Sequence, residues 1–512
     1  MNNRGSKIIT GFFLKTIYMA LSIVLAFFMM PFILHSLGDK MYGLWILLGT
    51  ILAYIGYLDM GVSSAVSRFV SRAVGQNDMN EINEISNTTF VIYLFIGLIT
   101  LVVTLLLVFL AGFLVKSPED LSIVRILLFV LGLNIAIGFP TRAFGGVLNA
   151  NLRYEISESI MLTELLLRNL LIFIFFSLGY RIIALGIIVL STSMLSYALY
   201  LFFAFRISRY LKLDIKFFKT KKIGEIFSYS AYTFINRLAG ILISRIDALV
   251  VTIFIGLSAV AHYSIAAVMV SYLSNFIFNI VGLIGPVFSQ DEGRGDMDGV
   301  KQKFLFTTKL FVYITVFIGT MMILYGKPFI IRWIGANYVD AYPVLLTLAP
   351  CTVIAMMQAP ISSVLFNISK QKFLVYVTMA EGIFNLILSI ILVKKYGLVG
   401  VALGTAIPMI LIRFLIQPIY VCHVLKINKV NYYLDTIGIC CFKSLLGILP
   451  VFWIFSSYVS PSYNILFIFG IIQFIVYGLV IFLWGFGKEE RALVFGRITK
   501  KLMWKEPLPN II

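Results

Sequence analysis

The chain has 512 residues, of which 60% are hydrophobic and only 12% are charged, and its formal net charge is +18. Soluble domains carry about 25% charged residues, so this composition excludes a soluble globular protein and predicts an integral membrane protein. Because the basic residues cluster in loops that would lie beside anionic lipid headgroups, the charge predicts no nucleic-acid partner.

Apolar segments of about 20 residues, the length that a spanning helix needs, recur along the whole chain. The predicted fold class is therefore an all-α integral membrane protein with fourteen transmembrane helices and no soluble domain. The predicted spans are 9–35, 43–67, 88–114, 122–148, 156–178, 182–206, 226–255, 259–288, 304–325, 341–367, 372–393, 398–422, 434–456 and 463–485.

The distribution of Lys and Arg predicts the orientation of these spans. Most of the 41 basic residues, including those from Arg206 to Lys222, fall in alternate loops that face the cytoplasm if the N-terminus does. The opposite loops hold few, such as Lys40 and Arg181. An even number of spans then places both termini in the cytoplasm.

Two polar gaps between apolar segments have similar sequences. GQNDMNEI begins at Gly75 and GRGDMDGV at Gly293, which is 218 residues later (293 minus 75). At the same offset LGYRIIALG, from Leu178, matches YGLVGVALG, from Tyr396. A period of this length corresponds to six helices, and six is even, so the two copies should be parallel.

The predicted domains follow from this repeat. They are a six-helix N-terminal lobe (1–206), a basic cytoplasmic linker (207–225), a six-helix C-terminal lobe (226–425), and two additional helices with a basic tail (426–512). Two such lobes are typical of alternating-access transporters, which bind their substrate between the repeats. A static duplicated scaffold is the alternative.

Charges inside the spans cost about 2.5–3.5 kcal/mol each near the bilayer centre, so they normally face an interior or a hydrated cavity. Asp59, Ser63, Ser67 and Ser71 recur every four residues and predict one polar stripe on span two. Similar polar patches are predicted on span one and span seven by the residues Lys15, Ser22, Arg237, Ser244, Arg245 and Asp247. A hydrated cavity lined by spans one, two, seven and eight is predicted, although Ser and Gly also mediate tight helix packing in lipid.

Two acids occupy related positions in spans five and eleven. Glu164 and Arg168 are four residues apart and should form an ion pair. Glu381 has Asn385 at the corresponding position, so it is predicted to lack that partner. An unpaired intramembrane acid could carry a proton or lie buried in protonated form, and both alternatives stay open.

A cavity with more Lys and Arg than acid suits an anion, and Arg binds phosphate in a bidentate manner. The sequence has neither a phosphate-binding Gly-x-x-x-x-Gly-Lys-Ser/Thr motif nor an H-E-x-x-H motif, which predicts a transporter without a catalytic motif or a cofactor. The four cysteines, Cys351, Cys422, Cys440 and Cys441, lie in apolar spans and predict neither a metal site nor a disulfide.

Three segments carry a family resemblance. LGDKMYGLWILLGTILAYIGYLDMGVSSAVSRFVSRAVGQND (37–78) resembles the opening segment of Wzx-type polysaccharide exporters, RIDALVVTIFIGLSAVAHYSIA (245–266) the start of their second lobe, and NLILSIILVKKYGLVGVALGTAI (385–407) their eleventh and twelfth helices. The resemblance covers nearly the whole chain and indicates the multidrug/oligosaccharidyl-lipid/polysaccharide (MOP) exporter superfamily, which includes the lipid II flippase MurJ and the MATE proteins.

This resemblance implies a multi-pass protein of the bacterial inner membrane that moves undecaprenyl-pyrophosphate-linked oligosaccharide, such as an O-antigen repeat unit, to the periplasmic leaflet. The pyrophosphate and sugars would bind Lys15, Arg142, Arg237 and Arg245, while Asp59, Asp247 and Glu381 are candidates for coupling to H+ or Na+. Expected partners are the lipid-linked oligosaccharide, membrane lipids, a polysaccharide polymerase and a chain-length regulator, and the protein should function as a monomer.

Two other functions compete with this one. A MATE-like drug or cation antiporter of the same fold would favour an acid-dominated cavity. A membrane polymerase or ligase would need a sizeable periplasmic loop, whereas the longest predicted external gap lies near 326–340 and is short.

Overall fold

A computed structural model of the protein describes residues 2–76, 78–113, 117–228, 230, 234, 246–368, 370–456 and 462–487. These residues form helices and connecting turns, and no strand occurs among them. The chain divides into two compact units, Met1–Ala261 and His262–Ile512. The domain limits expected from the repeat stay a prediction.

The first unit is built from long helices connected by short turns. Its described helices are α1 (Asn2–Leu37), α2 (Asp39–Gly56), α3 (Val62–Gln76), α4 (Met79–Phe109), α5 (Pro118–Ala150), α6 (Tyr154–Ser177), α7 (Ile182–Ile207) and α8 (Ile246–Phe254). Helix α5 lies at the centre, in contact with α3, α4 and α7, while α1 packs on α6. The buried core between α3, α4 and α5 includes Val66, Tyr93 and Phe139.

The helices that follow are α9 (Leu257–Gly293), α10 (Met297–Trp333), α11 (Ala341–Met357), α12 (Ala359–Asn367), the helical segment Lys372–Val424, α15 (Ile439–Phe455) and α16 (Tyr463–Val480). Helix α10 is the centre of the second unit, where it contacts α11, α15 and α16. The hydroxyl of Tyr477 on α16 donates to the carbonyl of Tyr313 on α10 over 2.7 Å, which ties the last described helix to this centre.

The segment Lys372–Val424 is a hairpin of two spans. Gly397 interrupts it with φ 56 and ψ −133, a conformation that disfavours side chains with a Cβ. Asn385 donates to the hydroxyl of Thr405 over 3.1 Å, and Phe373 stacks on Tyr420 with ring centroids 3.7 Å apart. The two halves, α13 (372–396) and α14 (398–424), therefore run antiparallel, as predicted for spans eleven and twelve.

Within the described part of the chain, twelve helical segments are long and apolar enough to cross a membrane, and the hairpin is counted as one of them. Many of their apolar side chains point outward, for example Trp453, which is 80% exposed. A protein in lipid needs such a surface, so the prediction of a multi-pass membrane protein is confirmed. The seventh predicted span, 226–255, falls largely outside the described residues, and the number fourteen stays a prediction.

Corresponding structural landmarks recur 218 residues apart. Three pairs of helices start at this offset: Asp39 and Leu257, Met79 and Met297, and Tyr154 and Lys372. The two polar gaps also share one turn. Asp78 accepts the backbone N–H of Glu81 over 2.9 Å, and Asp296 accepts that of Gly299 over 2.8 Å, so each aspartate caps the helix that follows it. The repeated Asp-Met sequence thus marks two equivalent helix starts.

The segment after α7 is held against α4 by amide side chains. Asn83 donates to the carbonyl of Tyr210 over 2.9 Å and accepts the N–H of Lys212 over 2.7 Å. One turn further along α4, Asn87 donates to the carbonyl of Lys212 over 2.7 Å and accepts the N–H of Asp214 over 3.1 Å. The start of the predicted linker is therefore fixed to the first unit.

Candidate functional site

The first unit contains a cavity of about 1020 Å³. It lies between α1, the junction of α2 and α3, and the helices α5, α6 and α7. Two acids and two bases line it: Lys15, Asp59, Arg142 and Glu158. Hydroxyl and amide groups complete the polar wall, among them those of Ser63, Thr141, Asn149, Tyr197 and Tyr200.

Asp59 lies at a break between two helices. Helix α2 ends at Gly56, a short 3-10 turn covers Tyr57–Asp59, and α3 starts at Val62. Met60 and Gly61 between them have φ values of 48 and 77. The prediction of one continuous helical stripe from Asp59 to Ser71 is therefore wrong, because two left-handed residues turn the backbone between Asp59 and Ser63. The Leu-Asp-Met-Gly sequence contains the turn signal in its glycine.

The carboxylate of Asp59 is buried and hydrogen-bonded on both oxygens. Tyr93 donates its hydroxyl to Oδ1 over 2.5 Å, and Ser63 donates to Oδ2 over 3.0 Å. Arg142 is less tightly held. Its Nη1 lies 3.5 Å from Oδ1 of Asp59 and donates to the carbonyl of Gly56 over 3.4 Å. The structure therefore pairs a predicted anion-binding residue with a predicted ion-coupling residue.

Arg142 faces the cavity as well as Asp59. Its side chain is 38% exposed, and its guanidinium lies 4.6 Å from the ring centroid of Phe139, one turn earlier on α5. Lys15 is exposed on α1 and lines the same cavity. Two of the four predicted anion-binding residues thus share one cavity, and α5 and the turn before α3 position the second of them.

The other two predicted anion-binding residues, Arg237 and Arg245, lie outside the described residues. The described lining has two bases and two acids, so the expected excess of basic charge is absent from this part of the cavity wall. Its helices come from predicted spans one, two, four, five and six, and not from seven and eight. Asp247 is half-buried in the first turn of α8.

Glu164 and Arg168 form the predicted ion pair on α6. Ser193 on α7 donates to Glu164 over 3.1 Å, and Arg168 also donates to Thr192 over 3.2 Å. The pair therefore links α6 to α7. Both groups have partners, which supports a structural role for them.

Glu381 has a partner, contrary to the prediction that it lacks one. Arg413 donates its Nε–H to Oε2 of Glu381 over 2.9 Å, and Glu381 is only 1% exposed. The arginine comes from the opposite arm of the hairpin, where it lies in the π-helical turn Leu411–Ile416. A search for partners along one helix could not find it. This pair belongs to the second unit, separate from the cavity just described.

Sequence reasoning missed three features of the cavity. Tyr93 was hidden in an apolar span, and Glu158 stands one residue before the serine that precedes the apolar part of span five. Tyr197 and Tyr200, one helical turn apart on α7, place two phenol groups in the wall. Polar groups at helical spacing in an apolar span were the available signal. No group of three or more His, Cys, Asp or Glu suited to a metal ion is present among the described residues.

Comparisons with solved structures identify the fold. An inward-facing MATE family multidrug resistance transporter of the MOP superfamily aligns with a TM-score of 0.69 and 16% identity, over 78% of this chain and 95% of that chain. The lipid II flippase MurJ in an inward closed conformation aligns with a TM-score of 0.66 and 19% identity, over 94% and 99%.

Comparisons with known sequences agree with this fold. EpsK, an uncharacterized membrane protein of Bacillus subtilis, is 24% identical over 94% of this chain and 96% of its own length. Agl15 of Haloferax volcanii, named a probable low-salt glycan biosynthesis flippase, is 23% identical over 44% of this chain and 47% of its own length.

The fold and the charged cavity define a multi-pass membrane transporter of the MOP superfamily. A model of the polysaccharide biosynthesis protein family matches residues 8–291, which is more than half of the chain. The protein belongs to the polysaccharide biosynthesis protein family.

Proposed function

We propose that the protein flips undecaprenyl-pyrophosphate-linked oligosaccharide from the cytoplasmic to the periplasmic leaflet of a bacterial inner membrane. The observation that carries this proposal is the cavity of about 1020 Å³, lined by charged and hydroxyl groups, within helices that otherwise present apolar surface. Family membership and the likeness to MurJ and Agl15 support it. Transport proceeds by alternating access, coupled to a gradient of H+ or Na+, in a monomer.

The charged residues take distinct roles in this proposal. Lys15 and Arg142 bind the pyrophosphate, together with Arg237 and Arg245, while the hydroxyl-rich wall accepts sugar hydroxyls. Asp59 and Asp247 are the first candidates for ion coupling. Glu381 becomes a weaker one, because a fixed guanidinium already neutralises it.

The architecture that serves this function comprises fourteen helices in two parallel six-helix repeats plus two C-terminal helices, with both termini cytoplasmic. The three pairs of helix starts at an offset of 218 support the repeat. A polysaccharide polymerase and a chain-length regulator are the proposed downstream partners.

A drug or cation antiporter is the second candidate. It is favoured by the carboxylates of Asp59 and Glu158, which make the described wall equal in acid and base.

The decisive experiment uses spheroplasts of a strain that lacks the gene, complemented with wild type or with the double variant Lys15→Ala, Arg142→Ala. An impermeant glycosidase measures how much lipid-linked oligosaccharide has reached the outer leaflet. We expect accumulation in the inner leaflet without the protein and with the double variant, relieved by wild type. Normal flipping without the protein would sink the proposal and favour the antiporter, whereas normal flipping by the double variant alone would refute only the site.

A further inference from the structure

Arg142 stands between two possible partners. On one side is the carboxylate of Asp59, at 3.5 Å, and on the other is the open cavity, to which 38% of its side chain is exposed. The two hydroxyl contacts of Asp59, at 2.5 and 3.0 Å, are shorter than its contact with Arg142. The guanidinium can therefore leave while the carboxylate keeps both of its hydrogen bonds.

We propose that Arg142 exchanges partners when substrate binds: its guanidinium moves from Asp59 to the anionic phosphate, and Asp59 then takes up one proton from water. The inference rests on the proposed function, because it requires an anionic headgroup in this cavity. It makes Asp59 a built-in competitor of the substrate, and it makes one proton the ion that accompanies binding.

The driving force is the cost of an unpaired buried charge. Asp59 is 1% exposed, and removing one member of a buried ion pair leaves the other uncompensated, which is strongly unfavourable. A proton on Oδ2 removes this charge, and the protonated oxygen can then donate to Ser63 as its hydroxyl reorients. The balance is simple: one guanidinium contact is replaced by another, and one proton passes from water to Asp59.

The groups around Asp59 favour this exchange. Tyr93 approaches from α4, Ser63 from α3 and Arg142 from α5. The other charged groups of the described cavity wall are Lys15 on α1 and Glu158 on α6. Of the described residues, Arg142 is the one that forms an ion pair with Asp59 within 4.0 Å, so its departure determines the charge that Asp59 can hold.

The test measures proton uptake on binding of farnesyl pyrophosphate to the full-length protein in detergent micelles. Calorimetric titrations in two buffers of different ionisation enthalpy give the number of protons bound per ligand. Farnesyl pyrophosphate itself takes up protons, so the measured quantity is the difference between wild type and Asp59→Asn. We expect wild type to take up about one proton more, and its affinity to weaken by up to about tenfold per pH unit relative to Asp59→Asn as the pH rises.

Glu158→Gln is the matched control, since it removes a carboxylate from the same cavity wall and should retain the extra proton. If Asp59→Asn does not fold, Arg142→Gln replaces it: weak binding without the extra proton supports the exchange. Equal proton uptake by wild type and Asp59→Asn would overturn it, as would loss of the extra proton only in Glu158→Gln. Failure of wild type to bind the probe at all would instead count against the pyrophosphate site of the proposed function.

Discussion

Two buried ion pairs occupy related positions in the two halves of the chain, and their surroundings differ. Glu381 is 1% exposed and Arg413 has a side chain that is 18% exposed. For Glu164 and Arg168 the exposed fractions are 22% and 32%. A charge that loses its partner costs more in the drier environment, so the second pair should matter more for stability.

We expect Glu381→Ala to lower the free energy of unfolding by about 3–5 kcal/mol, because it leaves the guanidinium of Arg413 buried without a counter-charge. Glu164→Ala is the matched control, and its cost should stay below about 2 kcal/mol, since water reaches Arg168. Equilibrium unfolding in SDS-containing mixed micelles measures both. Replacing Glu381 and Arg413 together by leucine should recover most of the loss, and equal losses for the two single variants would contradict this reasoning.

The spans of α13 and α14 could be predicted from the sequence, but the contact between Glu381 and Arg413 could not. Hydropathy determines which 20 residues enter lipid, and Gly397 marks the turn between them. The partner of Glu381 depends on how the two arms of the hairpin align and on a π-helical turn that rotates Arg413. Glu164 and Arg168 were predictable because one helix carries both. The same limit hid Tyr93 from Asp59, since they lie on different helices.

The close approach of α13 and α14 depends on Gly400. A Cβ at this position would lie 2.2 Å from the carbonyl oxygen of Leu392, which is backbone and cannot rotate away. Gly400→Ala should therefore lower the melting temperature, as measured by thermal unfolding in detergent. Gly470→Ala on α16 is the control, because a Cβ there would meet nothing within 4 Å. It should be neutral or raise the melting temperature, since alanine favours helix by about 1 kcal/mol over glycine.

The amides of α4 hold the chain from Tyr210 to Asp214 in place of a second strand. Each of Asn83 and Asn87 both donates to and accepts from that backbone, so truncation removes two hydrogen bonds per residue. We expect the double variant Asn83→Ala, Asn87→Ala to be cut by trypsin at Lys212 and Lys216 at least about tenfold faster than wild type. Asn279→Ala, which removes a side chain that donates within its own helix, should leave the rate unchanged. Unchanged cleavage of the double variant would show that the amides do not hold this segment.

At the scale of the whole molecule, the offset of 218 connects sequence, turns and helix starts. Gly179 and Gly397 are separated by this offset, and both have positive φ, at 90 and 56. Gly38 and Gly256 do the same, at 75 and 132. Positions that require a backbone conformation favouring glycine are costly to change, so their recurrence at one spacing indicates duplication of a whole structural unit. Membrane orientation depends in addition on the loops that bear Lys and Arg, and it needs its own measurement.

Parallel and inverted repeats differ in where equivalent turns face. Parallel repeats place Tyr180 and Tyr396, at the turns before α7 and α14, on the periplasmic side, and they place Ile215 and Arg294 in the cytoplasm. All four are exposed. Single cysteines at these positions, in a background without the four native cysteines, can be labelled in intact spheroplasts with an impermeant maleimide. We expect labelling at 180 and 396 from outside, and at 215 and 294 only after lysis. Labelling of 180 and 396 from opposite sides would establish inverted repeats instead, and would place the charged cavity of the first unit and the hairpin pair of the second at opposite orientations in the bilayer.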